Sequence, residues 1–67
     1  MKIYRCFTGP DDATFCLRVS LALNNGWELH GGPSLSFDPV RGCAIVAQAV
    51  VKEAEGEFSP DLDLSAL

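Results

Sequence analysis

Cysteine is scarce and oddly numbered: Cys6, Cys16 and Cys43 include no Cys-x-x-Cys pair, and the single histidine gives no metal-ligand spacing. That argues against a disulfide framework and a zinc site, and the thiols are expected to be unpaired and buried in a reducing compartment. A reactive thiolate needs exposure and a cationic neighbour, and the sequence signals neither. Basic residues are few as well. Five Lys and Arg against nine Asp and Glu leave a net charge of -4, with no basic patch to hold nucleic-acid phosphates. No apolar run approaches the roughly 20 residues of a membrane span, and Lys2 leads into a mixed segment rather than a signal-peptide core. A cytoplasmic protein with neither nucleic-acid nor membrane partners is expected. No catalytic, metal or phosphate-binding motif stands out, so no cofactor and no catalytic residue are assigned.

What is present is a chain of 67 residues, which is one domain. At this size folding hides only about 60 % of the surface that the unfolded chain exposes, so a lone core is marginal. With disulfides and metals disfavoured, self-association is the remaining aid.

The corner Asn24-Asn25-Gly26-Trp27 organises the rest, because it ends an amphipathic segment and begins an alternating one. Before it, Ile3 to Phe7 reads as a strand closed by Thr8-Gly9-Pro10. A helix follows, with Thr8, Asp11 and Asp12 as capping oxygens and Asn24-Asn25-Gly26 as its stop. Phe15, Cys16, Val19, Ala22 and Leu23 share its core side, and Leu17 and Leu21 lie opposite. After the corner, Trp27, Leu29, Leu35 and Phe37 take one parity of a strand and Glu28, His30, Ser34, Ser36 and Asp38 the other. Gly31-Gly32-Pro33 predicts a bulge and an edge location. Asp38 to Gly42 is a hairpin loop, and Cys43 to Lys52, apolar on both parities, is a central strand.

The fold class is therefore α+β, a single β-α-β-β domain over residues 1–53 whose three-stranded antiparallel sheet has the order 1-3-2 and one helix on one face. Residues 54–67 form an acidic C-terminal tail that either frays or docks through Phe58, Leu62, Leu64 and Leu67. Facing is assigned from two arguments. A buried Arg5 needs a partner, so Tyr4 and Cys6 point to the helix while Ile3, Arg5 and Phe7 point away. If Phe37 opposes Cys43, then Cys43, Ile45, Ala47, Ala49 and Val51 face the helix, and Ala44, Val46, Gln48 and Val50 face away.

On these assignments Arg5, Glu28, His30 and Gln48 form a candidate polar cluster for a ligand or an interface on the helix-free face. A lone histidine on a polar parity is ordinarily just solvated, whereas a covered Gln48 must find hydrogen-bond partners. Ile3, Phe7, Ala44, Val46 and Val50 form a candidate oligomer interface on that face, with Leu17 and Leu21 as a second contact. A homodimer or larger homo-oligomer is expected. The balance favours a non-enzymatic interaction module over a small-molecule binder or enzyme with its site where protomers meet.

Tyr4-Arg5, Thr8-Gly9-Pro10-Asp11-Asp12, Phe15-Cys16-Leu17-Arg18-Val19, Gly26-Trp27-Glu28-Leu29-His30-Gly31, Phe37-Asp38-Pro39 and Gln48-Ala49-Val50-Val51-Lys52 together resemble the small bacterial proteins of domain of unknown function 1737. The resemblance covers nearly the whole chain. It implies the same fold class and a bacterial cytoplasmic protein, and it brings no activity and no catalytic residues.

Overall fold

In the computed structural model, which describes residues 1–67, the elements run in the order β1 (Lys2–Pro10), α1 (Ala13–Asn24), β2 (Glu28–Asp38), β3 (Cys43–Glu53) and a short 3-10 turn η1 (Leu64–Ala66). The sheet has the order β1-β3-β2, and both neighbouring pairs are antiparallel. That is the α+β architecture expected, with one helix on one face. β1 is longer than its apolar run because pairing continues to Pro10 opposite Ile45, and Asp11 N–H donates to Ala44 O at 3.0 Å.

Asp12 supplies the helix cap, its Oδ1 accepting from Phe15 N–H at 3.0 Å. At the other end Asn25 and Gly26 N–H donate back to helix carbonyls, and Trp27 N–H reaches Ala22 O at 3.1 Å. Gly26 has φ 95°, a backbone conformation that side chains rarely adopt, so this corner favours glycine. Trp27, delivered to the core by that turn, is 3 % exposed.

The core holds Ile3 and Phe7 of β1, Val46 and Val50 of β3, Phe15 and Ala22 of α1, and Trp27, with Val19 packed against them. The facing of β1 and β3 is thus the reverse of the expectation, while that of β2 is as expected. Ile3, Phe7, Val46 and Val50 lie beneath the helix, and Ala44 shares their parity, so these five cannot form an outer interface. The helix-free face carries Tyr4, Cys6, Ile45, Ala47, Ala49 and Val51 instead. The cause is the hairpin. Asp38 Oδ1 accepts from Val40 N–H at 3.0 Å and Arg41 N–H at 3.3 Å, and its carbonyl accepts from Gly42 N–H at 2.8 Å. So capped, Asp38 itself pairs with Cys43, and Phe37 pairs with Ala44. A one-residue shift moves every β3 side chain to the other face.

Two of the three thiols are also exposed rather than buried, and all are free. Cys6 takes the uncovered sheet face, and Cys16 sits on the flank of α1 because the helix is rolled toward β1, leaving Phe15, Val19 and Ala22 as its inward side.

The tail returns to the domain. Ala54 N–H donates to Met1 O at 2.7 Å, and the Met1 amino group donates to Ala54 O at 2.6 Å and lies 3.3 Å from Glu53 Oε1. Asp63 caps η1 through Ser65 N–H, and Leu64 and Leu67 pack against the core, while Phe58 stays exposed.

Candidate functional site

β2 is an edge strand whose inner parity, Leu29, Leu35 and Phe37, points to the helix side of the sheet. The helix does not reach it. An α-helix about 10 Å across spans about two strands spaced ~4.8 Å apart, and α1 lies closer to β1 than to β2. Leu23, Leu29, Leu35 and Phe37 are consequently 39 %, 55 %, 62 % and 67 % exposed. Phe15, Cys16, Val19, Leu23, Leu29 and Pro33 line an open, almost wholly apolar groove of about 370 Å³ between helix and strand. Parity alone puts Leu35 and Phe37 on the correct face, but only the width of one helix shows that they stay uncovered.

Gln48 forms the polar end of this groove and explains the kink in β2. The ladder slips between His30 and Ser34, and Gly31 there has φ 73°, a conformation that suits glycine. Gln48, 6 % exposed, donates through Nε2 to Gly31 O at 3.1 Å and to Ala49 O at 2.9 Å. Its donors are spent on the bulge and on its own strand. The four residues expected as one polar cluster are separated by the sheet: Arg5 and Gln48 are on the helix side, and Glu28 and His30 are exposed on the other face. Hydrogen bonding with the Cys6 side chain, ahead of its charge, holds the Tyr4 phenol on that open face above its ordinary pKa.

On the opposite flank of α1 a cleft of about 270 Å³ is lined by Arg5, Phe7, Arg18, Leu21, Trp27 and Leu67, among others. Arg5 Cζ lies 4.5 Å from the Phe7 ring centre and 5.7 Å from that of Trp27, and Arg18 Cζ lies 5.4 Å from Phe7. Half-buried Arg5 needs no buried carboxylate because it stacks on aromatic rings at the cleft edge, which is why its inward placement is tolerated. Lys52 stands 5.9 Å from Trp27 and donates to Asn25 O at 2.8 Å and Leu67 O at 2.7 Å, tying the helix end to the tail.

Arg5, Arg18, Trp27, Gln48 and Lys52, all residues of the motifs quoted above, thus lie along the two flanks of one helix. The profile of the domain of unknown function DUF1737 matches residues 1–53. The chain belongs to the DUF1737 family. No curated protein and no solved structure matches it. Family membership places the matched region over the whole sheet and helix of this DUF1737 protein. Leu17 and Leu21 are both exposed on the outer side of that helix, Leu21 at the cleft. Arg18, Leu29, Leu35 and Phe37 enter as site residues that sequence reasoning passed over. The signal for Arg18 was its position four residues before Ala22 on the β1 flank of the helix.

Proposed function

We propose that this DUF1737 protein is a non-enzymatic, self-associating module of the bacterial cytoplasm whose contact surface is the apolar row on β2. The carrying observation is that Leu23, Leu29, Leu35 and Phe37 stand on one side of the sheet, each more than a third exposed. Large apolar side chains grouped in this way mark an interaction site on a small soluble domain, and a two-fold contact is the commonest way of covering one. The Gly31–Pro33 bulge blunts strand addition at this edge, so the contact is made by side chains. Free thiols, two of them exposed, suit a reducing compartment.

Fully burying a leucine or phenylalanine is worth about 1.5–3 kcal/mol, so four side chains a little over half exposed contribute roughly 5 kcal/mol per protomer and roughly 10 kcal/mol per pair. Association costs ~4–15 kcal/mol in lost rigid-body freedom. The difference leaves at most about 6 kcal/mol, which makes the dimer weak and reversible, with dissociation at tens of micromolar or above.

Sedimentation velocity over a series from about ten micromolar to the millimolar range tests this. The sedimentation coefficient is expected to rise with concentration, Leu35→Glu to give a monomer, and Ala47→Glu on the helix-free face to leave the dimer intact. A monomer throughout contradicts the proposal, and dissociation by Ala47→Glu alone moves the contact to the other face. Val46→Glu is no test of association, since Val46 is buried in the core.

A further inference from the structure

Most of the basic residues of this acidic chain converge on one place. Arg5 and Arg18 line the cleft between α1, β1 and η1, and Lys52 adjoins it beside Trp27. The two ion pairs of the structure, Met1 amino group to Glu53 and Arg41 to Asp38, use neither arginine. Arg41 is neutralised on the hairpin. The cleft arginines have no carboxylate within ion-pair distance.

Their hydrogen-bonding capacity is also largely unspent. Arg18 donates once, from Nη1 to Thr8 O at 3.1 Å, and Arg5 donates to nothing in the chain although it is half-buried. A guanidinium that stacks by its face keeps its five N–H donors in its plane, in the fork that matches an oxyanion. The remaining lining divides cleanly, with Leu21, Ala22, Trp27 and Leu67 apolar and Asn25 and Ser65 polar. Polar and apolar groups share this lining about equally; concave sites with a few convergent polar groups hold small ligands, although about 270 Å³ falls just under the roughly 300 Å³ at which such sites usually begin. The occupant is therefore small.

We propose that this cleft is a binding site for a small organic anion, its carboxylate or phosphoryl group held by Arg5 and Arg18 and its flat apolar body set against Leu21, Trp27 and Leu67. Burial of the charged head is offset by the two guanidinium forks, which form charge-assisted hydrogen bonds about twice as strong as neutral ones. Asp63 feels the charge of Arg5, and it caps η1 through Ser65 rather than closing an ion pair. The site lies on the flank of α1 away from the β2 row, so it is independent of self-association.

The test uses the full chain, whose only tryptophan lines the cleft and reports its occupancy by fluorescence. Benzoate and phenyl phosphate are titrated at low and at physiological ionic strength, with benzamide as the uncharged counterpart of benzoate. At least one anion is expected to saturate the Trp27 signal, more weakly at higher salt, with benzamide silent; the tighter anion identifies the head group. Arg18→Gln, at an exposed position, is expected to weaken binding about tenfold or more. Arg5→Lys, which keeps the stem and the charge but loses the fork, is expected to weaken it as well, while Arg41→Gln leaves it unchanged. Circular dichroism checks that each variant is folded. No saturable response to either anion, an equal response to benzamide, or undiminished binding by folded Arg18→Gln overturns the proposal.

Discussion

Replacing Trp27 with alanine empties the largest side chain of the core that joins helix, sheet and C-terminal turn. Trp27 is 3 % exposed and lies within a core of seven buried apolar residues. Emptying a buried tryptophan site costs about 3–5 kcal/mol, from lost transfer energy and an unfilled cavity. Two further contacts go with it, the Arg5 guanidinium at 5.7 Å and the Lys52 ammonium at 5.9 Å, each worth about 0.5–1 kcal/mol at partly exposed sites. A domain of this size is stable by roughly 3–10 kcal/mol in total. The substitution therefore removes most of that, and at about 4–8 °C per kcal/mol the melting temperature falls by about 12–40 °C. Thermal unfolding followed by far-ultraviolet circular dichroism measures the drop, with Trp27→Phe as an intermediate control that keeps much of the apolar volume. An alanine variant melting within a few degrees of the parent would refute the placement of Trp27 at the centre of the core.

Gln48→Ala is expected to cost about 2–3 kcal/mol, since it strips a buried amide from the Gly31 and Ala49 carbonyls; hydrogen exchange should show the loosening concentrated at residues 30–34. Asp12→Ala removes the oxygen that caps α1 and should lower stability by about 1 kcal/mol in denaturant titration. Asp63 is held below the usual carboxylate range by the Ser65 side-chain hydrogen bond first and the Ser65 backbone N–H second. With a depressed folded-state pKa, its cap is fully formed above the ordinary carboxylate value and is lost as pH falls through the lower one. Acid titration should release η1 in that window, seen as a shift of the Ser65 amide resonance; a Ser65 amide that shifts only near neutral pH would contradict the assignment.

The order of elements is legible because turn chemistry marks most boundaries: Asn24-Asn25-Gly26 and Asp38 to Gly42 fall where α1 and β2 give way to the next segment, whereas Thr8-Gly9-Pro10, expected to close the first strand, stays paired within β1. The bulge at Gly31–Pro33 is legible for the same reason. Facing is not, since β3 is apolar on both parities and hydrophobicity cannot choose between them. That choice rests on one aspartate, whose three accepted hydrogen bonds make it the last paired residue of β2. Arg5 misleads for a related reason. Burial was weighed against a missing carboxylate, whereas Phe7 and Trp27 supply aromatic faces. The candidate surface follows from parity plus one geometrical fact, that a single helix covers about two strands, and the cleft requires the fold-back of Leu64 and Leu67, for which their apolar spacing gives no direction.

Self-association through β2 is tested most directly at the level of single residues. Methyl and backbone nuclear magnetic resonance spectra, recorded from low micromolar to millimolar protein, report which positions change as copies meet. Self-association through β2 predicts concentration-dependent shifts at Leu23, Leu29, Leu35 and Phe37, with Ala47, Ala49 and Val51 on the opposite face unmoved. Spectra that do not change with concentration, or shifts confined to Ala47, Ala49 and Val51, would contradict it.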